Sequence, residues 1–151
     1  MNKHELFMKK AIEQALIAKE EGEVPIGAVL VQNNQIVSSS YNLNISRSDP
    51  TAHAEINVIR EFSKKIKNYR LVNSSIYVTL EPCLMCYGAI VHSRISNIFF
   101  GAFDNKSLVL GPNFNNEGSK CLNHKPTILG GILENECSSI IIDFFKNKRE
   151  E

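Results

Sequence analysis

The segment Ser75-Ile76-Tyr77-Val78-Thr79-Leu80-Glu81-Pro82-Cys83-Leu84-Met85-Cys86 sets the architecture of this chain. Its first half is rich in β-branched and aromatic residues and predicts a strand that ends at Leu80. Pro82 fits the first turn of a helix, which we expect to run from about Cys83 to His92. Cys83 and Cys86 lie three positions apart at that helix start, so both sulfurs can face one side.

A second short motif, His53-Ala54-Glu55, adds one imidazole and one carboxylate to these two thiols. Three protein ligands, His53, Cys83 and Cys86, leave one position of a tetrahedral zinc open, which is typical of a catalytic site rather than a structural one. Water would take that position, and Glu55 is the candidate base. Residues two apart do not share a face of a regular helix, so the motif requires the metal to lie near the helix end.

Each motif also has a simpler interpretation. A lone C-x-x-C at a helix start can be a redox dithiol. Cys121 or Cys137 could instead supply a fourth ligand and close a structural site. The two motifs together, with Pro82 beside the cysteines, favour the open zinc site.

The rest of the chain predicts alternating elements. We expect a first helix from His4 to Glu21 ended by Gly22, a hairpin of two strands (Pro25–Val31 and Gln35–Ser40) turned at Asn33-Asn34, and a loop from Asn42 to Pro50. Thr51 would cap a helix from Ala52 to Lys65. Further expected elements are a strand over Asn97–Gly101, a long loop over Lys106–Lys125, a short edge strand over Thr127–Leu129, and a last helix over Glu134–Lys148 with Cys137, Ile141, Phe144 and Phe145 inward.

This order indicates a three-layer α/β/α domain around a mixed sheet of about five strands, formed by residues 1–151 as one domain. The start of the chain has no apolar signal core, and no apolar run is long enough to span a bilayer. We therefore expect a cytoplasmic protein without a membrane partner, in which four cysteines favour metal binding or catalysis over disulfides. A net charge of +1 argues mildly against a nucleic-acid partner, although five basic residues cluster between Arg60 and Arg70.

Four segments carry a resemblance to a known family. They are Glu23-Val24-Pro25-Ile26-Gly27-Ala28-Val29-Leu30-Val31, Asp49-Pro50-Thr51-Ala52-His53-Ala54-Glu55-Ile56, Tyr77 to Cys86, and Gly130, Ile132, Leu133, Glu136, Cys137, Phe144 and Phe145 near the end. In these segments, which span almost the whole chain in order, the sequence resembles the bacterial tRNA-specific adenosine deaminases of the cytidine and deoxycytidylate deaminase superfamily. The resemblance implies a cytidine-deaminase-like fold.

The resemblance also implies a function. The expected reaction is zinc-dependent, hydrolytic deamination of adenosine to inosine at the wobble position of a tRNA anticodon, with arginine tRNA as the expected species. A zinc-activated water would be the nucleophile and Glu55 the proton shuttle. One Zn²⁺ per subunit would be held by His53, Cys83 and Cys86. The implied partners are a tRNA anticodon stem-loop and a second copy of the chain in a homodimer, with no DNA expected.

Further positions match residues that contact the substrate in this family: Asn42, Asp104, Lys106, Phe144 and Phe145. Two features depart from the family pattern. Phe103 stands where a polar or basic residue is frequent, and Ser107-Leu108-Val109-Leu110 replaces a Thr-Gly-Ala-like run. Phe103 could stack on a base or simply pack. The departures bear on RNA contacts and leave the fold prediction unchanged.

Two other functions stay open at this point. The same chemistry could act on a free base or nucleotide such as cytosine or guanine, which the near-neutral charge allows. The chain could also be a non-catalytic RNA-binding or scaffold subunit in which zinc only holds the fold. A purely structural site has no use for the additional carboxylate of Glu55, which argues against the scaffold.

Overall fold

The structure is a computed structural model and describes residues 1–104 and 123–150. Within those residues the chain forms four helices and five strands. In chain order they are α1 (Lys3–Glu20), β1 (Gly27–Gln32), β2 (Gln35–Tyr41), α2 (Ala54–Ile66), β3 (Ser74–Leu80), α3 (Leu84–His92), β4 (Asn97–Ala102), β5 (Thr127–Leu129) and α4 (Glu134–Glu150).

The five strands form one mixed sheet in the order β2-β1-β3-β4-β5. β1 is antiparallel to both of its neighbours, so that Ala28 lies opposite Ser40 on β2 and Val78 on β3. The pairs β3–β4 and β4–β5 are parallel, with Ile98 between Ile76 and Ile128. The mixed five-stranded sheet confirms the fold predicted from the sequence.

Helices cover both faces of this sheet. Because successive strand residues point to opposite faces, Ala28 and Leu30 pack in the core beneath α2 and α3, whereas Val29 and Val31 pack beneath α1 and α4. The first core includes Val58 of α2 and Ile90 of α3, and the second includes Met8 of α1 and Cys137 of α4. The three-layer α/β/α arrangement is therefore also confirmed.

The start of α2 differs from the prediction. The helix begins at Ala54, after His53 as the N-cap, and not at Ala52 after a Thr51 cap. The Thr51 hydroxyl donates instead to Asp49 Oδ1 at 2.8 Å, two residues back in its own turn. Threonine hydroxyls bond locally in turns as readily as they cap helices, so residue type alone did not separate these two uses.

The start of α3 is shifted in the same way. Cys83 is the extended N-cap residue and the helix begins at Leu84, so Pro82 lies before the cap and not in the first turn. Both corrections move a metal-ligand candidate from inside a helix to the position immediately before it.

The last helix differs from its prediction on one side. Cys137 is buried as expected, whereas Phe145 is 44% exposed and not inward.

Four features of the sequence analysis lie outside the described residues, namely Lys106, Ser107–Leu110, Cys121 and most of the predicted 106–125 loop. Among residues 1–104 and 123–150, no helix combines the length and apolar character needed to cross a membrane.

Candidate active site

The first side of the site is the N-terminus of α2. His53 has extended backbone angles (φ −69°, ψ 155°), and its side chain makes no capping hydrogen bond to the helix. Asn42 supplies that cap, because its Oδ1 accepts the Ala54 N–H at 2.8 Å. The imidazole of His53 is thereby left for another partner.

The second side is the N-terminus of α3, directly after the carboxyl end of β3. Cys83 is also extended (φ −73°, ψ 173°), and its carbonyl accepts the Tyr87 N–H at 2.9 Å. Cys86 is buried in the first turn, and Cys83 is half-buried. The two helix starts therefore aim three side chains at one point.

The three ligand atoms converge as a tetrahedral metal site requires. His53 Nδ1 lies 3.6 Å from Cys83 Sγ and 3.4 Å from Cys86 Sγ, and all three ligand atoms lie within 4.8 Å of one another. Zinc bonds of about 2.0–2.1 Å to nitrogen and about 2.3 Å to sulfur place the two ligand atoms about 3.5 Å apart around a tetrahedral ion. The donor set and its spacing therefore fit a zinc ion with one position left open.

The pKa values of the three side chains also favour cation binding. A hydrogen bond from the Cys86 thiol, and then the His53 ring, lowers the pKa of Cys83 to about 4. The same bond and burial raise the pKa of Cys86, and the bond to Cys83 raises the pKa of His53. A divalent cation would take the place of the shared protons, because cysteine binds metal as the thiolate.

Cys137 does not belong to this cluster. Within the described part of the chain, the group of three possible ligands consists of His53, Cys83 and Cys86 alone. Cys137 lies in the core on the opposite face of the sheet, among Met8, Val29 and Tyr77. The closed site that would use Cys137 is therefore not what the structure assembles, and Cys121 lies outside the described residues.

Glu55 lies beside the cluster and is only 4% exposed. The sequence-based difficulty, that residues two apart point to different sides of a helix, disappears because His53 stands before the helix and Glu55 within its first turn. Burial raises the pKa of the Glu55 carboxyl to about 7. A carboxyl group with a pKa near neutrality is suited to both accepting and donating a proton.

A cleft of about 630 Å³ opens onto His53, Cys83 and Glu55. This volume is within the range of small-molecule sites and accommodates a nucleoside. Of the predicted substrate contacts, Asn42, Asp104 and Phe145 line the cleft. The remaining lining residues are Glu23, Val24, Ile26, Asn44, Ile45, Leu80, Glu81, Phe103, Ile141 and Ile142.

Phe144 is placed differently from Phe145. It is partly buried and packs edge-on against Phe145, with ring centroids 5.3 Å apart, and it is not one of the cleft-lining residues. Phe103, the aromatic departure, lines the cleft and also packs edge-on against Phe100 at 5.0 Å.

Two buried acids of the cleft wall, Glu23 and Glu81, were missed by sequence reasoning. Glu23 accepts backbone N–H groups from Ile45 and Ser46, and Glu81 Oε1 accepts the Asp104 N–H at 2.9 Å. The signal available in the sequence was an acidic residue beside a buried strand, in Glu23-Val24-Pro25 and Leu80-Glu81-Pro82. An acid in such an apolar setting needs a partner, which the sequence does not identify.

Comparisons with known proteins agree with this geometry. The profile of the cytidine and deoxycytidylate deaminase zinc-binding region matches residues 1–102. The tRNA-specific adenosine deaminase of Haemophilus influenzae is 48% identical, over 97% of this chain and 86% of its own length. The enzyme of that name from Bacillus subtilis is 44% identical, over 100% of this chain and 94% of its own.

A solved structure gives the same result in three dimensions. It comes from a study of A-to-I editing by tRNA:A34 deaminases at the wobble position of transfer RNA. It superimposes with a TM-score of 0.82 at 40% identity, over 89% of this chain and 97% of its own.

Proposed function

Because the chain belongs to the tRNA-specific adenosine deaminases of the cytidine and deoxycytidylate deaminase family, we propose that it deaminates adenosine to inosine at the wobble position of a tRNA anticodon. The observation that carries this proposal is the convergence of His53, Cys83 and Cys86 beside Glu55, at a cleft that His53, Cys83 and Glu55 line. Water enters the reaction, and ammonia leaves.

His53, Cys83 and Cys86 would hold one zinc ion per subunit. When bound, zinc supplies a water nucleophile of lowered pKa. Two cysteines and one histidine give zinc more charge than three histidines would, so this water needs a dedicated base more than the water of a three-histidine site does.

Glu55 carries the protons of the reaction. Its carboxylate takes a proton from the water whose oxygen bonds to C6 of adenine. The resulting carboxylic acid gives that proton to the ring nitrogen N1. Glu55 then takes the remaining proton of the oxygen now bonded to C6 and gives it to the C6 amino group, so that the C–N bond breaks, ammonia leaves and C6 keeps a carbonyl oxygen. A carboxyl pKa raised by burial makes this return transfer easier than it would be for a solvent-exposed glutamate.

The cleft walls would orient the nucleoside. Asn42 Oδ1 accepts the Ala54 N–H, which holds the side chain in place, and its Nδ2 donors can serve a substrate acceptor. Asp104 also lines the cleft and offers carboxylate oxygens, and Phe145 offers an exposed ring on which a flipped base can stack. Phe144 packs edge-on against the Phe145 ring. Lys106 is assigned to contacts with flanking nucleotides on the family resemblance alone.

The names of the relatives support a tRNA substrate. Arginine tRNA as the particular species, a cytoplasmic location and a homodimer follow from the family resemblance and are part of the proposal.

The direct test uses the purified, zinc-loaded protein and an arginine anticodon stem-loop with adenosine at the wobble position, since sequence-specific RNA recognition targets unpaired loop bases. Inosine formation is followed by mass, which rises by about one unit when an amine is replaced by oxygen. The matched control RNA carries guanosine at that position, and free adenosine, cytosine and guanine are assayed in parallel.

Inosine formed only in the wobble-adenosine RNA is the expected outcome. Turnover of a free base without turnover of the RNA would contradict the tRNA substrate while leaving the deaminase chemistry in place. Zinc bound in full without turnover of any substrate would contradict the enzymatic proposal itself.

A further inference from the structure

Glu23 is an acid that the reaction described above does not use, although its side chain lines the same cleft. It follows the C-terminus of α1, where Gly22 adopts the left-handed conformation (φ +81°). The Glu23 N–H then donates to the Ala18 carbonyl at 2.9 Å, in the pattern that closes many helices at a glycine. The end of α1 thus fixes the backbone of Glu23.

The carboxylate of Glu23 reaches the loop that follows β2. Its Oε1 accepts the Ile45 N–H at 3.0 Å, and its Oε2 accepts the Ser46 N–H at 2.8 Å. Both oxygens are therefore occupied by consecutive backbone donors. Glu23 ties the first helix to a loop more than twenty residues further along the chain.

Burying the Glu23 carboxylate costs hydration free energy. The residue is 1% exposed, and in the described residues no lysine, arginine or histidine forms an ion pair with it. A buried carboxylate held only by hydrogen bonds to backbone groups loses much of its hydration energy. It is thus a poor source of stability compared with an apolar side chain of similar size.

The loop held by Glu23 carries two polar residues of the cleft wall, Asn42 and Asn44. Asn42 is anchored from one side by its bonds to Ile26 and Ala54. From the other side the loop turns on itself, with Asp49 N–H donating to the Asn44 carbonyl at 3.0 Å. Between these anchors, the bonds from Ile45 and Ser46 to Glu23 set the position of the segment relative to the cleft.

We propose that Glu23 is a positioning residue for the substrate: its two hydrogen bonds hold the 42–46 loop so that Asn42 and Asn44 face the target nucleoside. The inference rests on the proposed function, since it assigns the loop to nucleoside binding in that same site. Glu23 acts through the loop and does not touch the reacting atoms.

The kinetic test compares Glu23→Gln with Glu20→Gln, a matched change at an exposed position at the end of α1. Glutamine keeps the size of the side chain but has one acceptor oxygen and presents an NH₂ group to a backbone N–H. We expect the KM for the wobble-adenosine stem-loop to rise about tenfold, as loss of one well-formed buried hydrogen bond implies, with kcat within about threefold of wild type. Glu20→Gln should leave both constants unchanged.

Glu23→Asp provides the conservative rescue, because it keeps both acceptor oxygens on a shorter side chain. Its KM should fall between those of the wild type and Glu23→Gln. An unchanged KM in Glu23→Gln, or a fall in kcat without a rise in KM, would overturn the positioning role. A Glu23→Asp variant weaker than Glu23→Gln would do so as well.

A second measurement separates this inference from the proposed function. Amide hydrogen exchange, followed by NMR on the zinc-loaded protein without RNA, reports directly on the Ile45 and Ser46 N–H groups. In Glu23→Gln at least one of them should exchange about tenfold faster, with the Ala54 N–H unaffected. If both keep their protection, Glu23 does not hold the loop. If the wild-type protein fails to convert the stem-loop while these amides respond, the proposed substrate is wrong and the structural connection stands.

Discussion

Glu55 is the residue on which the proposed chemistry depends, since it is the buried carboxyl group beside the three metal-ligand candidates. Glu55→Gln keeps the volume and removes the group that accepts a proton. We predict that kcat on the wobble-adenosine stem-loop falls by on the order of 10³-fold, the usual share of general acid–base catalysis. Zinc content, measured by atomic absorption, should remain at one per chain.

Glu61→Gln is the matched control, because Glu61 lies on the same helix but is exposed and accepts a hydrogen bond from the Ser38 hydroxyl. It should retain wild-type kcat. Full activity in Glu55→Gln would remove Glu55 from the mechanism, and loss of zinc would make it a ligand instead of a proton shuttle.

Metal content should distinguish Cys83 and Cys86, the two cysteines of the cluster, from Cys137. Cys83→Ser and Cys86→Ser should each lose most of the zinc, because a serine hydroxyl is a far poorer ligand than a thiolate at neutral pH. Cys137→Ser, on the other face of the sheet, should keep one zinc per chain. Zinc lost from Cys137→Ser while its circular dichroism stays native would revive the closed structural site.

The packing of α1 on β1 depends on the absence of a side chain at Gly27. A Cβ at this position would lie 2.0 Å from the Ala11 carbonyl oxygen and 2.5 Å from the Ala15 nitrogen, both backbone atoms of α1. Gly27→Ala should therefore force the helix away from the sheet and lower the free energy of unfolding by about 3 kcal/mol. Urea denaturation of the zinc-loaded protein measures the change.

Gly88 of α3 provides the opposite case, because a Cβ there meets no atom within 4 Å. Gly88→Ala should raise the free energy of unfolding by about 0.5–1 kcal/mol, since alanine loses less backbone entropy than glycine in a helix. A destabilised Gly88→Ala, or a neutral Gly27→Ala, would show that the spacing of these helices differs from that described here.

Tyr77 of β3 should make the stability of the folded protein depend on pH in the alkaline range. Its ring is buried against Phe7 and Phe99, its Oη lies 2.7 Å from His4 Nδ1, and burial raises its pKa to about 12. Between pH 10 and 12 the unfolded chain loses the Tyr77 proton while the folded protein keeps it. The folded state then binds more protons, so its stability falls as pH rises through this window.

Tyr77→Phe removes the hydroxyl group and with it this pH-dependent loss of stability. Relative to this variant, the wild type should lose about 2 kcal/mol of unfolding free energy between pH 10 and 12, in denaturation curves recorded across that range. Tyr69→Phe, at an exposed position, should behave as the wild type does. Parallel pH profiles for the wild type and Tyr77→Phe would mean that Tyr77 ionises in the folded protein as easily as in the unfolded chain.

The elements that the sequence predicted well are those fixed by local chemistry. Asn33 and Asn34 both adopt positive φ (54° and 59°) in the turn between β1 and β2, and asparagine is one of the few residues that tolerate this conformation. Gly22 closes α1 for the same kind of reason. Such features depend on a few neighbouring residues and can be read without knowledge of the fold.

The features that the sequence did not predict depend on contacts between distant segments. The cap of α2 comes from Asn42, eleven residues before His53, so local reasoning assigned it to Thr51. The exposure of Phe145 was missed because a helical repeat indicates which residues share a face and not how far the neighbouring layer extends. The motifs did predict that His53, Cys83 and Cys86 act together, whereas the sheet order is what brings their ligand atoms within 4.8 Å of one another.

In the molecule as a whole, the candidate site lies at one end of the sheet, beyond the carboxyl end of the central strand β3. β3 and β4 run parallel, and α2 and α3 both begin near the carboxyl end of β3, where their N-terminal N–H groups favour negative charge. Side-chain hydrogen bonds of Asn42 and Glu81 join neighbouring loops to this end of the sheet. The candidate ligands His53 and Cys83 stand immediately before helices and Cys86 in a first turn, positions that fix side chains more precisely than the middle of a loop does.

The surface beside this site predicts how two copies of the chain associate. Leu84 and Met85 lie between the two cysteine ligands and are 67% and 38% exposed. Ile45 and Ile142, also exposed, lie in the lining of the same cleft. Exposed apolar side chains grouped around a site are typical of an interface, so we expect the proposed homodimer to cover Leu84.

Leu84→Asp tests this expectation without weakening the helix, because an acidic residue in the first turn of α3 is favourable for the helix dipole. Light scattering should show one chain per particle for the variant at concentrations where the wild type shows two. Leu16→Asp, at an exposed apolar position on α1, should remain a dimer.

A dimeric Leu84→Asp with unchanged zinc content would place the interface elsewhere, and a monomeric wild type would remove the homodimer from the proposal altogether. If the variant is monomeric, holds its zinc and has lost turnover of the stem-loop, then the second subunit is needed to complete the RNA site, since each chain carries its own His53, Cys83, Cys86 and Glu55.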